Sequence, residues 1–296
     1  MQVHIALGKL LQDVSDKIIE HNNWFYEYKV DGLRTLIFSD GNIVSRYGNT
    51  LYIDVNKDII KQIPRGYVLD CESFANNIWQ TMSIKSKTKS KHIQNNIKIY
   101  VFDIVDQDTI LKGKVYEVPY EQRKQELQKL LKYISTKDKR FKYVPHIRAT
   151  KNSRKYFMEI AKQYYNRGFE GAMFKKAGHF YVPSRTSNWI KAKLFADIDV
   201  KVVDVIIQNN RAKAFVCEYK GHRFNVGSGL TEEQRRFVAE HKQKFIGKKL
   251  NIKSLHYTEA GIPRVPIFVG FYATDFDKDF VQLLEQKQLL KLSWAE

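Results

Sequence analysis

The sequence predicts an α+β protein in two parts, and three observations point to it. Short strand-like runs, rich in Phe, Tyr, Ile and Val, alternate with a few helix-like segments over the first two thirds of the chain. Near Asp197 the pattern changes to short alternating strands with one helix among them. The 296 residues, 43% of them hydrophobic, suffice for two packed cores. The expected parts are residues 1–196, antiparallel sheets with helices, and residues 197–296, a small barrel of the OB type.

Each element has its own signal. Leu7, Leu10, Leu11, Val14, Ile18 and Ile19 recur at helical spacing and predict a helix over 4–19. Strands follow at 25–30, 33–38 and 43–47, and SDG between the last two reads as a hairpin turn. A short helix is expected around DVNKDIIKQI, a strand at YVLDCESF, and a buried strand at IKIYVFDIV. The lysine-rich IKSKTKSKHIQNN between those two strands reads as an exposed loop. Helices are expected over 119–134 and 152–166, then strands at FEGAMFKK and NWIKAKLF. The second part offers strands at VKVVDVIIQ, AFVCEYKGHRFNVGSG, KLNIKSLHY and PIFVGFYA, with a helix at TEEQRRFVAEHK that Thr231 can cap. A last helix is expected over about 278–291.

The charge narrows the function classes. Fifty Lys and Arg against 32 Asp and Glu leave a formal charge of +18, which predicts a polyanionic partner, most simply nucleic acid. No strongly basic amphipathic helix argues for a membrane surface, and no apolar run is long enough to span a bilayer. The N-terminus lacks a secretory pattern, and the two cysteines, Cys71 and Cys217, imply no disulfide framework. A soluble, non-secreted protein is expected. No His or Cys cluster has zinc spacing.

Several short stretches could carry chemistry. In YKVDGLR, Lys29 interrupts an apolar run; a lysine acts as a nucleophile when its amine is neutral, and desolvation with Arg34 nearby would favour that form. A solvent-facing lysine beside an Asp-Gly turn fits the same four letters equally well. Asp70 and Glu72 share one side of a strand, where they fit a metal or ribose site or a mere strand end. Glu170 opens an apolar strand and fits a divalent cation held through water. Lys191 and Lys193 share a strand face with Trp189, either as a phosphate clamp or as an exposed basic face. Phe102 fits a base-stacking ring or the core, and Arg46 a phosphate contact or plain surface. Lys85, Lys87, Lys89 and Lys91 fit a nucleic-acid backbone or plain solvation.

The order of these stretches is more specific than any one of them. KVDGLR, SRYGN, LDCES, YVFDIV, EGAMFKK and WIKAK occur in sequence ahead of the barrel. The chain resembles the ATP-dependent DNA ligases of the covalent nucleotidyltransferase superfamily, in particular the minimal two-domain ligases of phages and large DNA viruses. The resemblance runs from about Trp24 to about Asp275.

It implies an adenylation domain followed by an OB domain, ATP as the AMP donor, Mg²⁺, and nicked duplex DNA as the partner of a monomer in the cytoplasm of its host cell. It implies work in DNA replication, repair or recombination. Lys29 would take AMP, with Glu27 near the adenine and Phe102 stacked on it. Arg34 would contact the ribose or the phosphate of the nicked strand, and Arg46 the 5′-phosphate. Glu72 would bind ribose or metal, Glu170 the metal, and Lys191 and Lys193 the α-phosphate. VGSGL (226–230) is similar to a Gly-rich segment of ligase OB domains. An RNA ligase, a capping guanylyltransferase or an inactive nucleic-acid binder are the alternatives.

Three departures stand out. Cys71 replaces the usual Gly between the two acids, and Phe271-Tyr272 stand where the last motif brings an Arg. No counterpart of the large N-terminal DNA-binding domain of cellular ligases is found, which implies a grip on DNA by two domains alone.

Overall fold

The computed structural model describes residues 1–258 and 261–291. The chain divides into two compact units that meet at Leu194–Phe195. The fold class is the one expected: mixed sheets and helices first, a five-stranded barrel-like sheet second.

The first unit contains ten strands: β1 (Leu7–Leu10), β2 (Trp24–Lys29), β3 (Leu33–Phe38), β4 (Ile43–Ser45), β5 (Tyr67–Ala75), β6 (Ile97–Asp106), β7 (Phe141–Tyr143), β8 (Ile147–Arg148), β9 (Gly171–Lys176) and β10 (Arg185–Lys193). They form two five-stranded sheets, in the orders β1-β10-β9-β2-β8 and β4-β3-β5-β6-β7. The helix Arg154–Asn166 puts Phe157, Ile160, Ala161 and Tyr164 against Trp24, Phe174 and Ile190 of the first sheet. The helix Tyr120–Lys137 packs Leu127, Leu131 and Ile134 among Ile99, Val101 and Phe141 of the second. A third cluster joins the sheets, with Leu36, Val68 and Val105 from one and Trp189 and Met173 from the other.

Two expectations are corrected here. Residues 4–19 do not form one helix. Leu7–Leu10 is an edge strand parallel to β10, Leu11–Asp13 is one 3₁₀ turn, and only Asp16–Glu20 is α-helical. Leu11, Val14 and Ile19 are buried, but pairing of the preceding residues with β10 overrides the helical period. Asp31-Gly32 is not a hairpin turn either: β2 and β3 lie in different sheets. Gly32 is needed there because a Cβ would sit 2.4 Å from the Ser73 carbonyl oxygen as the chain crosses between them. The turn at Ser39–Gly41, by contrast, does join β3 to β4, with Gly41 at φ 93°.

The second unit contains β11 (Ala196–Gln208), β12 (Arg211–Tyr219), β13 (His222–Val226), β14 (Lys249–Ser254), β15 (His256–Tyr257), β16 (Pro263–Arg264) and β17 (Ile267–Phe271). Five of them form an open sheet, β13-β12-β11-β14-β17, whose two edges touch at one parallel bridge, Ser228 to Ile267. The helix Glu232–Glu240 starts with a capping box in which Thr231 and Gln234 exchange hydrogen bonds. The last helix, Lys278–Gln286, buries Phe280 and Leu284 in this unit's core. No helix among the described residues is long and apolar enough to cross a membrane.

Candidate active site

A cavity of about 270 Å³ opens between the two sheets of the first unit. Lys29 reaches it from the end of β2. Pairing of β2 and β10 with opposite sides of β9 sets both Lys29 and Lys193 opposite Gly171. The preceding residue, Glu170, therefore stands between two lysines and forms an ion pair with each. Gly171 makes this possible: its φ is 145°, and a Cβ would lie 2.2 Å from the Ala192 carbonyl oxygen. The Glu170 amide also donates to the Lys29 carbonyl at 2.8 Å, which fixes the crossing.

The charge state of Lys29 differs from expectation. Burial alone would lower its pKa, but Glu170, with Glu72 and Asp31, raises it above the ordinary lysine value. Arg34 does not act on it as a neighbouring cation. The guanidinium is locked to Asp70, Nε to Oδ1 at 2.5 Å and Nη2 to Oδ2 at 2.6 Å, and the Tyr181 hydroxyl donates to the same carboxylate at 2.6 Å. Arg34 instead forms part of the cavity wall, 4.6 Å from the Phe102 ring centroid and 5.7 Å from that of Trp189.

The other expected residues divide cleanly. Glu72, opposite Arg34 on β5, faces the cavity, and burial pushes its carboxyl up to about 7 despite Lys29 nearby. Phe102 and Trp189 supply aromatic wall, meeting edge to face at 6.2 Å. Lys191 lines the cavity too, with its amine pushed down to about 8, first by burial and then by Arg185 and Lys193. Arg46 stands at the rim, exposed, 4.9 Å from the Tyr47 ring. Lys85, Lys87, Lys89 and Lys91 are exposed and do not line the cavity. Their segment is not wholly a loop, since Lys87–Ser90 forms one helical turn capped by Ser86.

Of a second group of charges only Glu27 was foreseen. Glu27 lies deep in the same cavity and accepts from the Tyr120 hydroxyl at 2.7 Å and from Lys124 Nζ at 2.8 Å. Its other oxygen is 2.9 Å from Lys175 Nζ. Lys124 also donates to the Val144 carbonyl at 2.6 Å. Lys175 sits among the rings of Trp189, Phe102 and Tyr120, at 4.2, 4.8 and 5.2 Å. The two lysines hold the Glu27 carboxyl below its ordinary range against the opposing effect of burial. Nearby, Arg123 clamps Asp103 with two bonds of 2.8 and 3.0 Å. The signal was there: Tyr120, Lys124, Leu127, Leu131 and Ile134 form one helical stripe, and a lysine on an apolar stripe needs a buried partner. Lys175 likewise shares its strand face with Met173.

In the second unit, Phe271 belongs to the core, and Tyr272 belongs to a polar group. Its hydroxyl donates to Asp199 at 2.7 Å and accepts from Lys291 at 3.3 Å, while Asn251 donates to Asp199 at 2.8 Å.

Residues 6–193 match the family model described as an ATP dependent DNA ligase domain, and residues 208–271 that of a DNA ligase OB-like domain. DNA ligase 2 of Methanosarcina acetivorans is 24% identical, over 80% of this chain and 46% of its own length. The chain thus spans about half the length of that curated relative. Among solved structures, one described as a study of Lig E DNA ligases, binding DNA with a minimal scaffold, has a TM-score of 0.71 at 21% identity, covering 91% of this chain and 99% of that one. One called Pmar-Lig_Pre. scores 0.77 at 23% identity, covering 92% and 68%. The bacteriophage T7 ATP-dependent DNA ligase, in complex with ATP, scores 0.56 at 14% identity, covering 91% and 98%. At these identities the structures attest the fold.

Proposed function

The chain belongs to the ATP-dependent DNA ligase family, and from that premise we propose that it seals 5′-phosphate/3′-hydroxyl nicks in duplex DNA with ATP as AMP donor. In this reading residues 1–196 are the adenylation domain, residues 197–296 the OB domain, and the chain works as a monomer in the cytoplasm of its host cell. The observation that carries the proposal is Glu170 bridging Lys29 and Lys193 at an aromatic-walled cavity.

Lys29 Nζ attacks the α-phosphate of ATP, a P–N bond forms, and pyrophosphate leaves. AMP then passes to the 5′-phosphate of the nick, and the 3′-hydroxyl displaces it. Each step is displacement at phosphorus, in which positioning and charge neutralisation dominate. Lys191 and Lys193 line the cavity with Lys29 and would hold the α-phosphate. In the free protein Lys29 is held charged by Glu170, so its attack requires loss of both the proton and that contact. Phe102 offers a ring to the base and Arg34 a cationic wall to ribose or phosphate. An ionised Glu27 only accepts hydrogen bonds, so it favours the amino group of adenine over the carbonyl of guanine. Arg46, exposed where the cavity opens, would meet the 5′-phosphate, and the exposed lysines at 85, 87, 89 and 91 would meet the duplex backbone.

Mg²⁺ fits this carboxylate set. Glu170 Oε2 is the oxygen paired with Lys29, so an ion would have to replace that contact, and Glu72 lines the cavity that Lys29 reaches. With two carboxylates at hand, phosphates and water would complete the shell of such an ion. Bound there, it would neutralise charge on the phosphates.

Incubation with Mg²⁺ and α-labelled ATP or GTP tests the reading. Label from ATP on the protein, lost in Lys29→Ala, is expected, followed by sealing of a nicked duplex. Label from GTP would turn the reading to a capping guanylyltransferase. No label from either nucleotide would leave a nucleic-acid binder.

A further inference from the structure

Two hairpins of the second unit meet at an aromatic pair that no role described so far uses. Tyr219, at the end of β12, stacks on Tyr257 of β15, with ring centroids 6.0 Å apart and planes 16° apart. Their hydroxyls are 3.4 Å apart. Lys220 Nζ lies 5.3 Å from one ring centroid and 6.0 Å from the other. Tyr257 is 43% exposed, and His222 and Arg223 are exposed beside the turn. Arg223 has one distant acidic neighbour, Glu218 at 3.8 Å.

The backbone adds a second observation. Lys220 and Gly221 form the two-residue turn between β12 and β13, with φ of 48° and 79°. Such a turn needs positive φ at both positions and is normally Asn-Gly or Gly-Gly. A lysine there costs free energy that Asn or Gly would not. Strain of this kind collects where a side chain is used.

The location is the third. β12 and β13 are the second and third strands of the barrel-like sheet. The β15–β16 hairpin lies in the connection between its fourth and fifth strands, β14 and β17. These are the two surfaces by which five-stranded barrels of this type take oligonucleotides.

We propose that Tyr219, Lys220 and Tyr257 form a stacking platform for unpaired nucleobases of a single DNA strand. A base stacks against the half-exposed Tyr257–Tyr219 pair, and Lys220 neutralises the adjoining phosphate while its cation supports both rings. The platform lies within the second unit and does not depend on the chemistry proposed for Lys29.

Fluorescence anisotropy with the full chain, labelled oligo-dT and an abasic strand of equal length tests it. Oligo-dT is expected to bind about tenfold tighter than the abasic strand. Tyr257→Ala should erase that preference. Lys220→Asn should weaken oligo-dT binding about threefold with an unchanged or higher melting temperature, because it relieves the turn. Equal binding of the two strands by the wild type, or an intact preference in Tyr257→Ala, would overturn the platform. Wild-type binding by Lys220→Asn would overturn the part given to the lysine. Self-labelling from ATP, measured in the same preparations, reports on the first unit alone. Its failure alongside a base-dependent preference would refute the ligase reading and leave the platform standing.

Discussion

Glu27 and Glu170 are each held by two lysines, yet they do opposite work. The lysines of Glu27, Lys124 and Lys175, keep 0% and 1% of their side chains exposed. Those of Glu170, Lys29 and Lys193, keep 19% and 17%. Both carboxyls are pushed below their ordinary range by their lysines. What differs is the alternative open to each lysine. Lys124 is tied to the Val144 carbonyl, and Lys175, though it lines the cavity, is boxed by rings and almost wholly buried. Lys29 and Lys193 line the cavity and keep part of their side chains open to solvent. The deep cluster is closed off; the shallow one is open, as the proposed exchange of Glu170 for a phosphate needs.

The largest expected effect breaks the two apart by the same isosteric change. Glu27→Gln strands two buried ammonium groups and should cost about 3–5 kcal/mol of folding stability in urea melts. Glu170→Gln leaves its lysines access to water and should cost about 1 kcal/mol or less. Its self-adenylation rate should nonetheless fall by about 10²-fold or more, because charge placement at phosphorus is lost. Equal destabilisation by both changes would show that exposure does not separate the two clusters.

A third carboxyl, Glu72, sharpens the contrast because it has no lysine of its own. Burial raises it to about 7 from an ordinary 4.5. Between those values the folded protein keeps a proton that the unfolded chain has released. Stability from this group is therefore present below about pH 4.5 and lost as pH rises towards 7. Glu72→Gln removes that loss, so its stability relative to wild type should climb across the window and level off above it. Urea melts of the nucleotide-free proteins at stepped pH would show this. A flat difference would mean that Glu72 is ionised throughout, like Glu27 and Glu170.

The sequence disclosed the shallow cluster far better than the deep one. Lys29, Lys191 and Lys193 lie on strands either side of the one that Glu170 immediately precedes, so a period of two and short spacing carry the geometry. Glu27 was placed near the base, but its partners lie 93 to 148 residues away, and Lys124 hides in an ordinary-looking polar helix. Arg34 was misjudged for the same reason. Its partner Asp70 was read with Glu72 as a site acid; register sets Glu72 opposite Arg34, and the diagonal bond to Asp70 is visible only in three dimensions. The helix over 4–19 failed because an edge strand and a helix can bury the same leucines. The second unit's strands were legible, but the bridge that joins its edges and the meeting of Tyr219 with Tyr257 are long-range facts that local pattern does not hold.

Lys85, Lys87, Lys89 and Lys91 extend the series from buried to half-open to exposed, and the expected effect is the smallest. None of them makes an ion pair with a carboxylate among the described residues, so replacing all four by Ala should leave folding stability within about 0.5 kcal/mol of wild type. Their charge then acts only on a partner. Each lysine that neutralises a duplex phosphate releases counterions and adds about 0.9 to the slope of log affinity against log salt. If all four sit on the backbone of a nicked duplex, the quadruple variant should flatten that slope by about 3–4. Self-adenylation, which needs no DNA, should not change. An unaltered slope would take the segment out of the interface and leave Arg46 and the remaining basic surplus to hold the strand. A collapsed fold would instead place these lysines with Lys124 and Lys175, against their exposure.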